Sequence, residues 1–450
     1  MAFGLALVLK PSVRLMEDAG GLEEPGRKRL RLAGAAGADQ RAMLRALARG
    51  ASTEDELCPS LELRYLLALL EQEGWIGCSL TRDGRRLATL EPLTREFRFQ
   101  PAAGNGPWRL SRFAWIRRGP DGAVLESPLG FARVLLHDPG LLEPVGRLCQ
   151  PVNADGLSGL DPPMARAFLA MLASAGAVAP CVGEGQLPED RDPALRQWEF
   201  HDLLFHSRSR QGRHGDPVGG TFRFLGELDP LPALKPARAE AIPLPEPRLP
   251  ASSPPFFRVL EARRSLRTPG QHPVTLGQLG TFLHYVARIR AVAPADPGAG
   301  RAYEAASGCC PGGGGLHEIE LYLTVSRCAG LAPGFYHYAA GSHALEPWPG
   351  SEAAGQLLRG GAEAMGTAPA PDILFTLAAR VQRVSWKYQG IAYSLILKNT
   401  GVLYQQMYLV ATALGLAPCA IGTGDSQLFA QASGLDFTRE SSVGEFALSG

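Results

Sequence analysis

The chain has 450 residues, 45% hydrophobic and 20% charged, which is enough for several domains that each bury a core. Lysine and arginine number 45 against 44 aspartate and glutamate, so a net charge of +1 provides no bulk attraction to nucleic acid or to an anionic membrane. The 8 cysteines are scattered without a C-x-x-C pair or a paired Cys/His spacing. That pattern argues against a zinc site or a disulfide framework and favours a reducing compartment.

Two apolar stretches bear on localisation. Residues 1–11 lack a basic n-region and a cleavage site, so they predict a first strand rather than a signal peptide. The long apolar run over 391–414 is interrupted by Lys398, Asn399 and two glutamines, which indicates a core helix rather than a membrane span. We therefore expect a cytoplasmic protein.

Residues 41–90 have the pattern of helices followed by a hairpin. Apolar residues at helical spacing predict helices over 41–47 and 61–73. The dipeptide Asp83-Gly84 then joins two predicted strands, 75–80 and 86–90. This order is typical of a winged-helix module, and without a dense basic face it favours peptide or protein binding over DNA binding.

The next part of the chain repeats this theme. Strands are predicted over 108–117 and 123–127, and helices over 131–137 and 164–176. The aromatic and polar stretch 198–210 predicts an interdomain or substrate-facing helix. Nine prolines between positions 230 and 255 then predict an extended linker.

These patterns divide the chain into four predicted parts. The first two are a winged-helix-like peptide-binding module (1–100) and a second winged-helix-like module (101–190). A connecting segment with the proline-rich linker (191–250) follows, and the fourth part is a C-terminal domain (251–450).

The C-terminal domain contains Trp386-Lys387-Tyr388 between a predicted strand, 372–378, and the long predicted helix. The positive end of a helix dipole and burial both disfavour an ammonium, so a lysine placed there is easier to deprotonate. A general base that works near neutral pH needs that property. The competing interpretation is a lysine that extends its charge into water beside a core tyrosine, and the motif alone favours it.

Three further motifs surround this one in sequence. Arg263-Arg264-Ser265-Leu266-Arg267 combines three arginines with a hydroxyl and can bind a phosphate by charge-assisted hydrogen bonds. The glycine run 312–315 precedes a predicted strand, 319–325, and lets backbone N–H groups approach a flat ligand. A second glycine turn, Gly422-Thr423-Gly424, follows the long helix. Adjacent Cys309-Cys310 could be redox-active, but free cysteines are more often simply small buried residues.

The order of these motifs resembles that of SagB-type dehydrogenases, the azoline oxidases of the nitroreductase-like flavin superfamily. The residues that carry the resemblance are Arg263-Arg264-Ser265-x-Arg267, Pro311-x-Gly313-Gly314-x-Leu316-His317-Glu318, Gly334-Phe335-Tyr336-His337-Tyr338, Trp386-Lys387-Tyr388 and Gly422-x-Gly424. They span about 256–448, and the preceding modules also look like those of the longer members of this family.

The resemblance implies an α+β multidomain protein with a C-terminal nitroreductase-like FMN fold, a mixed or antiparallel sheet wrapped by helices, after two small winged-helix-like modules. It implies an FMN-dependent oxidoreductase that converts peptide thiazoline or oxazoline rings to thiazole or oxazole in natural-product biosynthesis. A homodimer with FMN at the subunit interface, a peptide substrate and a cyclodehydratase partner are also implied.

Roles for single residues follow from the same resemblance. Lys387 would remove a ring proton while hydride leaves to flavin N5, and Tyr388 would orient the ring. The remaining expected flavin-binding residues hold the phosphate, line the isoalloxazine or face the flavin: Arg263, Arg264, Ser265, Arg267, Gly313, Gly314, Gln405, Gly422 and Gly424. No metal is implied. One departure is Gly312, where the family commonly has a serine.

Three alternatives stay open at this point. The first is a thiazoline oxidase that acts on carrier-protein-bound nonribosomal intermediates. The second is an NAD(P)H-dependent nitroreductase-type reductase, although simple nitro reduction does not need the proton abstraction that a Lys-Tyr pair suggests. The third is a peptide-binding scaffold without flavin, against which the intact arginine cluster and glycine turns argue.

Overall fold

The computed structural model describes residues 3–16, 21–24, 28–31, 37–50, 54–100, 106–238, 240–247, 254–349, 352–366 and 369–450. The contacts within the chain divide it into two compact units, residues 1–216 and residues 217–450. Within the described ranges, no helix combines the length and the apolarity that crossing a bilayer requires.

Unit one contains short helices and an antiparallel sheet. Its helices are α1 (Ala38–Arg49), α2 (Glu54–Leu57), α3 (Leu61–Gln72), α4 (Leu142–Arg147), α5 (Pro162–Ser174), α6 (Pro188–Arg191) and α7 (Phe200–Arg208). Its strands are β1 (Phe3–Leu9), β2 (Arg14–Leu15), β3 (Gly21–Glu24), β4 (Lys28–Arg31), β5 (Ile76–Arg82), β6 (Arg85–Pro92), β7 (Trp108–Leu110), β8 (Trp115–Gly119), β9 (Gly122–Glu126), β10 (Ala132–Leu136) and β11 (Val178–Pro180). The helix predicted over 198–210 corresponds to α7.

A single sheet connects the two modules that the sequence predicts. Its order is β1-β5-β6-β10-β9-β8, and β6 pairs with β10 along Ala88–Pro92. The predicted boundary at residue 100 therefore falls inside one six-stranded sheet rather than between two separate bodies. The hairpin predicted at Asp83-Gly84 is present, with positive φ at both residues as a type I′ turn requires.

One predicted helix of unit one is wrong, and the strand predicted over 108–117 is split into β7 and β8. Residues 131–137 are predicted as a helix, but Ala132–Leu136 forms β10, the strand that joins β6 to β9. Burial alternates along it, with Ala132, Val134 and Leu136 buried and the residues between them half-buried. That period of two is the strand pattern, and the pairing on both sides overrides the helical reading of this short apolar run.

Unit two is built around a larger sheet. Its helices are α8 (Phe256–Ala262), α9 (Leu276–Val286), α10 (Glu352–Met365), α11 (Val381–Ser385), α12 (Ala392–Ala413) and α13 (Ser426–Ser433). Its strands are β12 (Gly219–Gly220), β13 (Ile242–Pro243), β14 (Ile289–Ala293), β15 (Ala305–Gly308), β16 (Ile319–Val325), β17 (Gly334–Ala339), β18 (Ala344–Pro347), β19 (Ile373–Arg380), β20 (Tyr388–Gln389), β21 (Ala417–Ile421) and β22 (Glu440–Ser449).

Seven of these strands form an antiparallel sheet in the order β13-β18-β17-β16-β19-β22-β21. One core cluster contains residues of α9 and α12, among them Phe282 and Met407, packed with Phe375 of β19. A second cluster contains residues of α10 and α13, such as Leu357 and Phe429, packed with Leu374 of the same strand. Because neighbouring residues of a strand point to opposite faces, helices cover both faces of this sheet. This arrangement matches the expected sheet wrapped by helices.

The segment 217–238, here called the strap, belongs to unit two and packs against the rest of it, although the sequence predicts that its proline-rich part belongs to a linker. Arg383 is buried and donates to the carbonyl of Leu231 at 2.6 Å. Trp386 donates from Nε1 to the carbonyl of Leu228, also at 2.6 Å. Since the strap's backbone carbonyls accept these bonds, side chains beside the Lys387 motif hold the strap in place.

Candidate functional site

Lys387 and Tyr388 lie where the chain leaves the central strand of unit two. The sequence predicts that a strand passes directly into a long helix here, but the short helix α11 follows β19, and α12 begins only at Ala392. Lys387 is therefore outside the first turn of α12, where a helix dipole acts most strongly. Tyr388 belongs to β20, which pairs with β12 of the strap through Gly220.

Three aromatic rings surround the amine of Lys387, and we call them the aromatic cage. Its Nζ atom lies 4.6 Å from the ring centre of Tyr303, 5.0 Å from that of Tyr388 and 5.7 Å from that of Phe222. Trp386 is buried behind the cage and contacts Phe222 edge to face at 5.9 Å. Aromatic faces attract an ammonium, so the cage stabilises the protonated amine without a counter-charge.

The amine of Lys387 donates a hydrogen bond to a tyrosine hydroxyl. Lys387 Nζ donates to the hydroxyl of Tyr303 at 2.5 Å, and that hydroxyl donates to the carbonyl of Gly314 at 2.8 Å. Within the described part of the chain, no carboxylate forms an ion pair with Lys387. The lysine is half-buried and its neighbours are uncharged, which distinguishes it from a lysine fixed in a salt bridge.

The glycine run contacts the Lys387 pair directly. Gly314 has φ +65°, a conformation that L side chains rarely adopt. A Cβ atom at this position would lie 2.5 Å from Lys387 Nζ and 2.6 Å from the Tyr388 hydroxyl. Gly314 is therefore required both by its backbone angle and by the closeness of the two side chains.

The adjacent glycine is anchored to α12. The backbone N–H of Gly313 lies 3.4 Å from Asn399 Oδ1, and Asn399 Nδ2 donates to Glu318 at 2.8 Å. Glu318 is fully buried, and desolvation raises the pKa of its carboxyl above the ordinary range although the hydrogen bond from Asn399 lowers it. Asn399 thus connects the glycine run to Glu318, which follows it in the chain.

The two adjacent cysteines beside this run are half-buried, and each thiol donates to a backbone carbonyl. Cys309 donates to the carbonyl of His284 at 3.2 Å, and Cys310 donates to the carbonyl of Val286 at 3.3 Å. Burial raises the pKa of Cys310 to about 12, so its thiol stays protonated. Since a thiolate is the reactive form, this geometry opposes redox chemistry at Cys310.

The arginine motif, residues 263–267, directly follows α8 without regular secondary structure, and we call it the arginine turn. Ser265 Oγ and the Tyr408 hydroxyl are 2.7 Å apart, and the guanidinium of Arg263 lies 5.1 Å from the ring centre of Tyr408. Arg264 and Arg267 are exposed. None of the three arginines forms an ion pair with a carboxylate of the described residues, so the turn presents unneutralised positive charge and a hydroxyl.

The arginine turn and the glycine run contact different parts of α12. Asn399 contacts the run and Tyr408 contacts the arginine turn, nine positions further along the helix. At 3.6 residues per turn, nine positions correspond to roughly 180° of rotation and about 14 Å of rise. Within one chain, therefore, the two predicted flavin-binding motifs lie on opposite sides of the same helix.

The second glycine turn lies at the same end of the sheet as the Lys387 motif, the end where β19 and β21 both finish. Both β19 and β21 run antiparallel to β22, so their C-terminal ends point the same way. Gly422 and Gly424 follow β21 and are exposed. A Cβ atom at Gly424 would lie 2.1 Å from a carboxylate oxygen of Glu445, so this side chain sits directly beneath the turn.

Glu445 is a buried acid that the sequence does not single out. Burial, with a smaller contribution from the charge of Asp425, raises its pKa to about 7, although a hydrogen bond with Ser442 lowers it. Its Oε1 atom has no hydrogen-bond partner. The carboxylate and the turn line a cavity of about 230 Å³.

Gln405 is the least supported of the predicted flavin-binding residues. It is exposed on α12, whereas its neighbour Gln406 is half-buried and donates to the carbonyl of Tyr285 at 2.9 Å. Nothing within the described part of the chain brings Gln405 to the Lys387 pair, so its role stays a prediction.

Two residues of the aromatic cage are outside every motif in the sequence. Phe222 belongs to the strap and has φ +52°, an uncommon angle for a residue with a side chain. Tyr303 precedes β15 and is 8% exposed. No periodic pattern marks either one, because each reaches Lys387 from a distant part of the chain.

The donor set fits a flavin mononucleotide. Guanidinium groups free of carboxylate partners and the Ser265 hydroxyl suit a phosphate. The left-handed backbone at Gly314 keeps the space beside Lys387 clear of a side chain, which suits a flat ring. The site thus combines phosphate-binding groups, a glycine-lined surface and an amine without a counter-charge.

Two family models match this chain. Residues 260–448 match the nitroreductase family, and residues 108–215 match the cyanobactin oxidase ThcOx. The nitroreductase match covers the arginine turn, both glycine turns and the Lys387 pair. The ThcOx match lies within unit one.

Individual proteins are similar over parts of the chain. A "putative nitroreductase" of Methanocaldococcus jannaschii is 27% identical over 164 residues, which cover 36% of this chain and 76% of that protein. A crystal structure of a "putative nitroreductase" from Ralstonia eutropha is 22% identical, with a TM-score of 0.37 over 52% of this chain and 96% of that one. A chain of the E. coli microcin synthetase McbBCD complex, solved with truncated pro-MccB17 bound, is 19% identical, with a TM-score of 0.35 over 56% of this chain and 91% of that one.

Proposed function

We propose that this SagB-type, nitroreductase-like oxidoreductase is an FMN-dependent dehydrogenase that oxidises thiazoline or oxazoline rings of a peptide to thiazoles or oxazoles. Its family assignment rests on the paired nitroreductase and cyanobactin oxidase matches, and nitroreductase-family proteins typically bind flavin. The observation that carries the proposal is Lys387, a lysine without a counter-charge that is held against the glycine run. A reductase that only passes hydride to a nitro group needs no such base.

Lys387 removes a carbon-bound proton from the azoline ring. An amine can act as a base only when it is neutral, and in the described part of the chain no carboxylate forms an ion pair with Lys387. The aromatic cage then stabilises the ammonium that forms, by cation–π attraction. The ring loses one proton and one hydride in total and becomes aromatic.

Tyr388 orients the substrate. Its hydroxyl lies beside Lys387 and the Gly314 backbone and has no hydrogen-bond partner among the described residues. It is therefore available to donate to the azoline nitrogen or to the adjoining amide. The strap closes one side of this pocket with Phe222 and so helps to exclude water.

The proposed cofactor site consists of the motifs described above. Arg263, Arg264, Arg267 and Ser265 would bind the phosphate, and backbone groups of the two glycine turns would line the ring system. When bound, FMN supplies the two-electron acceptor that takes the hydride.

A homodimer would assemble this site from two chains. The arginine turn and the glycine run lie on opposite sides of α12, so a flavin that touches both would need the arginine turn of one chain beside the glycine run of its partner. Two surfaces of unit two are apolar and exposed, as a subunit interface requires. Their side chains are Phe256, Phe257 and Leu260 on α8 and Tyr393, Leu397 and Val402 on α12.

The proposed substrate class rests on the combination of the nitroreductase and ThcOx matches and on the presence of unit one. The ThcOx match lies within unit one, which the sequence predicts to bind peptide, and we propose that this unit holds the substrate peptide. A cyclodehydratase that forms azolines would supply the substrate and is the proposed partner. A cytoplasmic location is part of the same proposal.

Substitution of Lys387 tests the function. Purified protein is incubated with FMN and a thiazoline-containing peptide, and the loss of two hydrogens from the peptide is followed by mass spectrometry. Lys387→Ala should retain its flavin and lose at least ~10²-fold in rate, as for the loss of a general base. Lys398→Ala is a matched control, because that exposed lysine lies on α12 away from the motif. Equal rates for Lys387→Ala and the wild type would contradict the proposed role.

A further inference from the structure

We infer that Tyr303 is a positioning residue for Lys387, and that its hydroxyl couples the base to the glycine run. Tyr303 belongs to none of the motifs, and it precedes the glycine run in a separate loop. The inference rests on the proposed function, because it assigns the task of Tyr303 within that site.

The direction of the two hydrogen bonds is fixed by chemistry. A tyrosine hydroxyl has a single proton, and the carbonyl of Gly314 can only accept, so Tyr303 donates to Gly314 at 2.8 Å. Its oxygen is then left to accept, and Lys387 Nζ donates to it at 2.5 Å. One N–H of the lysine therefore points at Tyr303, which directs the rest of the amine towards the space beside Gly314.

Packing holds Tyr303 in this orientation. Its ring lies 6.3 Å from that of Phe222 and 6.5 Å from that of Trp386, centre to centre. The side chain is 8% exposed. Because Trp386 is the residue before Lys387, the same indole supports both the tyrosine and the lysine backbone.

The two tyrosines of the cage have different tasks. The Tyr303 hydroxyl donates to the carbonyl of Gly314 and accepts from Lys387 Nζ. The Tyr388 hydroxyl has no hydrogen-bond partner among the described residues. Tyr303 thus fixes the base, and Tyr388 is left to meet the substrate. The Tyr303 hydroxyl donates its hydrogen bond to a carbonyl, which cannot take up the proton. Tyr303 therefore orients the lysine and does not relay a proton.

Tyr303→Phe tests the inference, since it removes only the hydroxyl. The turnover rate with a thiazoline peptide should fall about tenfold while KM changes little, because a misplaced base slows chemistry rather than binding. A hydrogen-bond acceptor favours the ammonium form, so its loss should move the rising limb of the pH–rate profile to lower pH. Tyr336→Phe on β17, which removes a hydroxyl that donates to the carbonyl of Ala332 at 2.9 Å, is the matched control and should change neither quantity.

A second readout does not depend on flavin or substrate. Acetic anhydride acylates neutral amines, and the labelling of Lys387 can be followed against pH by peptide mass spectrometry in the full-length chain. Tyr303→Phe should shift the midpoint of labelling to lower pH. Phe222→Leu keeps both hydrogen bonds of Tyr303 but removes one ring of the cage, and it should shift the midpoint less, which separates loss of the hydroxyl from loss of a cage ring.

The outcomes distinguish the two claims. A shifted midpoint in a protein that does not oxidise azolines would retain the positioning role and reject the proposed function. A wild-type midpoint and a wild-type pH–rate profile in Tyr303→Phe would overturn the inference. If Phe222→Leu shifts the midpoint as much as Tyr303→Phe does, the rings of the cage rather than the hydroxyl determine the state of the lysine, and the inference also fails.

Discussion

The Lys387 pocket and the arginine turn are both predicted from short motifs, but they differ in how completely one chain builds them. Lys387 is enclosed by three rings, a hydroxyl and the backbone of Gly314. The arginine turn has one polar contact to α12, through Ser265, and its guanidinium groups have no carboxylate partners among the described residues. Under the proposed function, the groups that would transfer a proton are preorganised, whereas those that would bind a phosphate have no partner before it arrives.

Physical chemistry explains this difference. A general base must be placed to within a fraction of an ångström, and that placement comes from packing and hydrogen bonds present before substrate arrives. Arginines that bind a phosphate gain their partners only when the phosphate arrives, and an ion pair within the protein would compete with it. Changes in the two regions should therefore affect different observables.

The largest effect is expected in the preorganised region. Gly314→Ala places a Cβ atom 2.5 Å from Lys387 Nζ at a residue with φ +65°, so it strains the backbone and displaces the base. Azoline oxidation should fall by ~10²-fold or more. The rate is measured by mass spectrometry of the peptide product.

Gly312→Ala is the matched control for this change. Gly312 has φ −133°, and a Cβ there would meet its nearest neighbour, the His317 ring, at 3.5 Å. That distance is ordinary van der Waals contact, so activity should stay within a few-fold of wild type. If both alanine variants behaved alike, the close approach at Gly314 would not matter for the chemistry.

An intermediate effect is expected in the arginine turn. Arg263→Gln combined with Arg267→Gln removes two charge-assisted contacts to a phosphate and should weaken FMN binding by about 10²-fold. The quantity to measure is the Kd of the flavin-free protein for FMN, from quenching of flavin fluorescence. Labelling of Lys387 by acetic anhydride should stay as in the wild type, because the lysine pocket is built without these arginines.

Arg359→Gln, an exposed arginine on α10, is the control for loss of charge. It should leave the Kd for FMN unchanged. An unaltered Kd in the double variant would mean that the arginine turn does not bind the phosphate.

The smallest effect concerns the second glycine turn, which covers Glu445. Burial raises the pKa of this carboxyl from 4.5 to about 7, so between these pH values the folded state binds the proton more tightly than the unfolded state does. Stability contributed by the protonated form is present below about pH 4.5 and is lost as the pH rises through 7. The loss is on the order of 3 kcal/mol at most.

Glu445→Gln should remove this dependence. The quantity to compare is the free energy of unfolding of the variant and the wild type at pH 5 and pH 8, from urea denaturation. As the pH rises, the free energy of unfolding of the wild type should fall relative to that of the variant. A difference between the two proteins that is the same at both pH values would show that Glu445 does not titrate in this range.

The sequence predicts the elements with strong periodic or compositional patterns. The strand predicted over 319–325 is confirmed to the residue as β16. The nitroreductase-like fold of the C-terminal domain is confirmed by the family match over 260–448. Local signals suffice there because apolar spacing and helix ends are encoded within a few residues.

Long-range contacts account for what the sequence does not reveal. The prolines of the strap suggest a linker, because composition does not show that Arg383 and Trp386 donate to its carbonyls. Likewise, Tyr303 is 84 residues from Lys387 and belongs to no motif. The placement of the Lys387 pair beside Gly314 could be expected from the family resemblance, but the residues that hold the lysine could not.

The most direct measurement of the central claim is the visible spectrum of the FMN-loaded protein as it is mixed, without oxygen, with a thiazoline-containing peptide. If the protein is an azoline dehydrogenase, the flavin absorption near 450 nm should bleach with the peptide alone, with one azole formed per flavin reduced, and Lys387→Ala should bleach at least ~10²-fold more slowly. Flavin that stays oxidised with the peptide and bleaches only with NAD(P)H would contradict the account and identify a reductase instead.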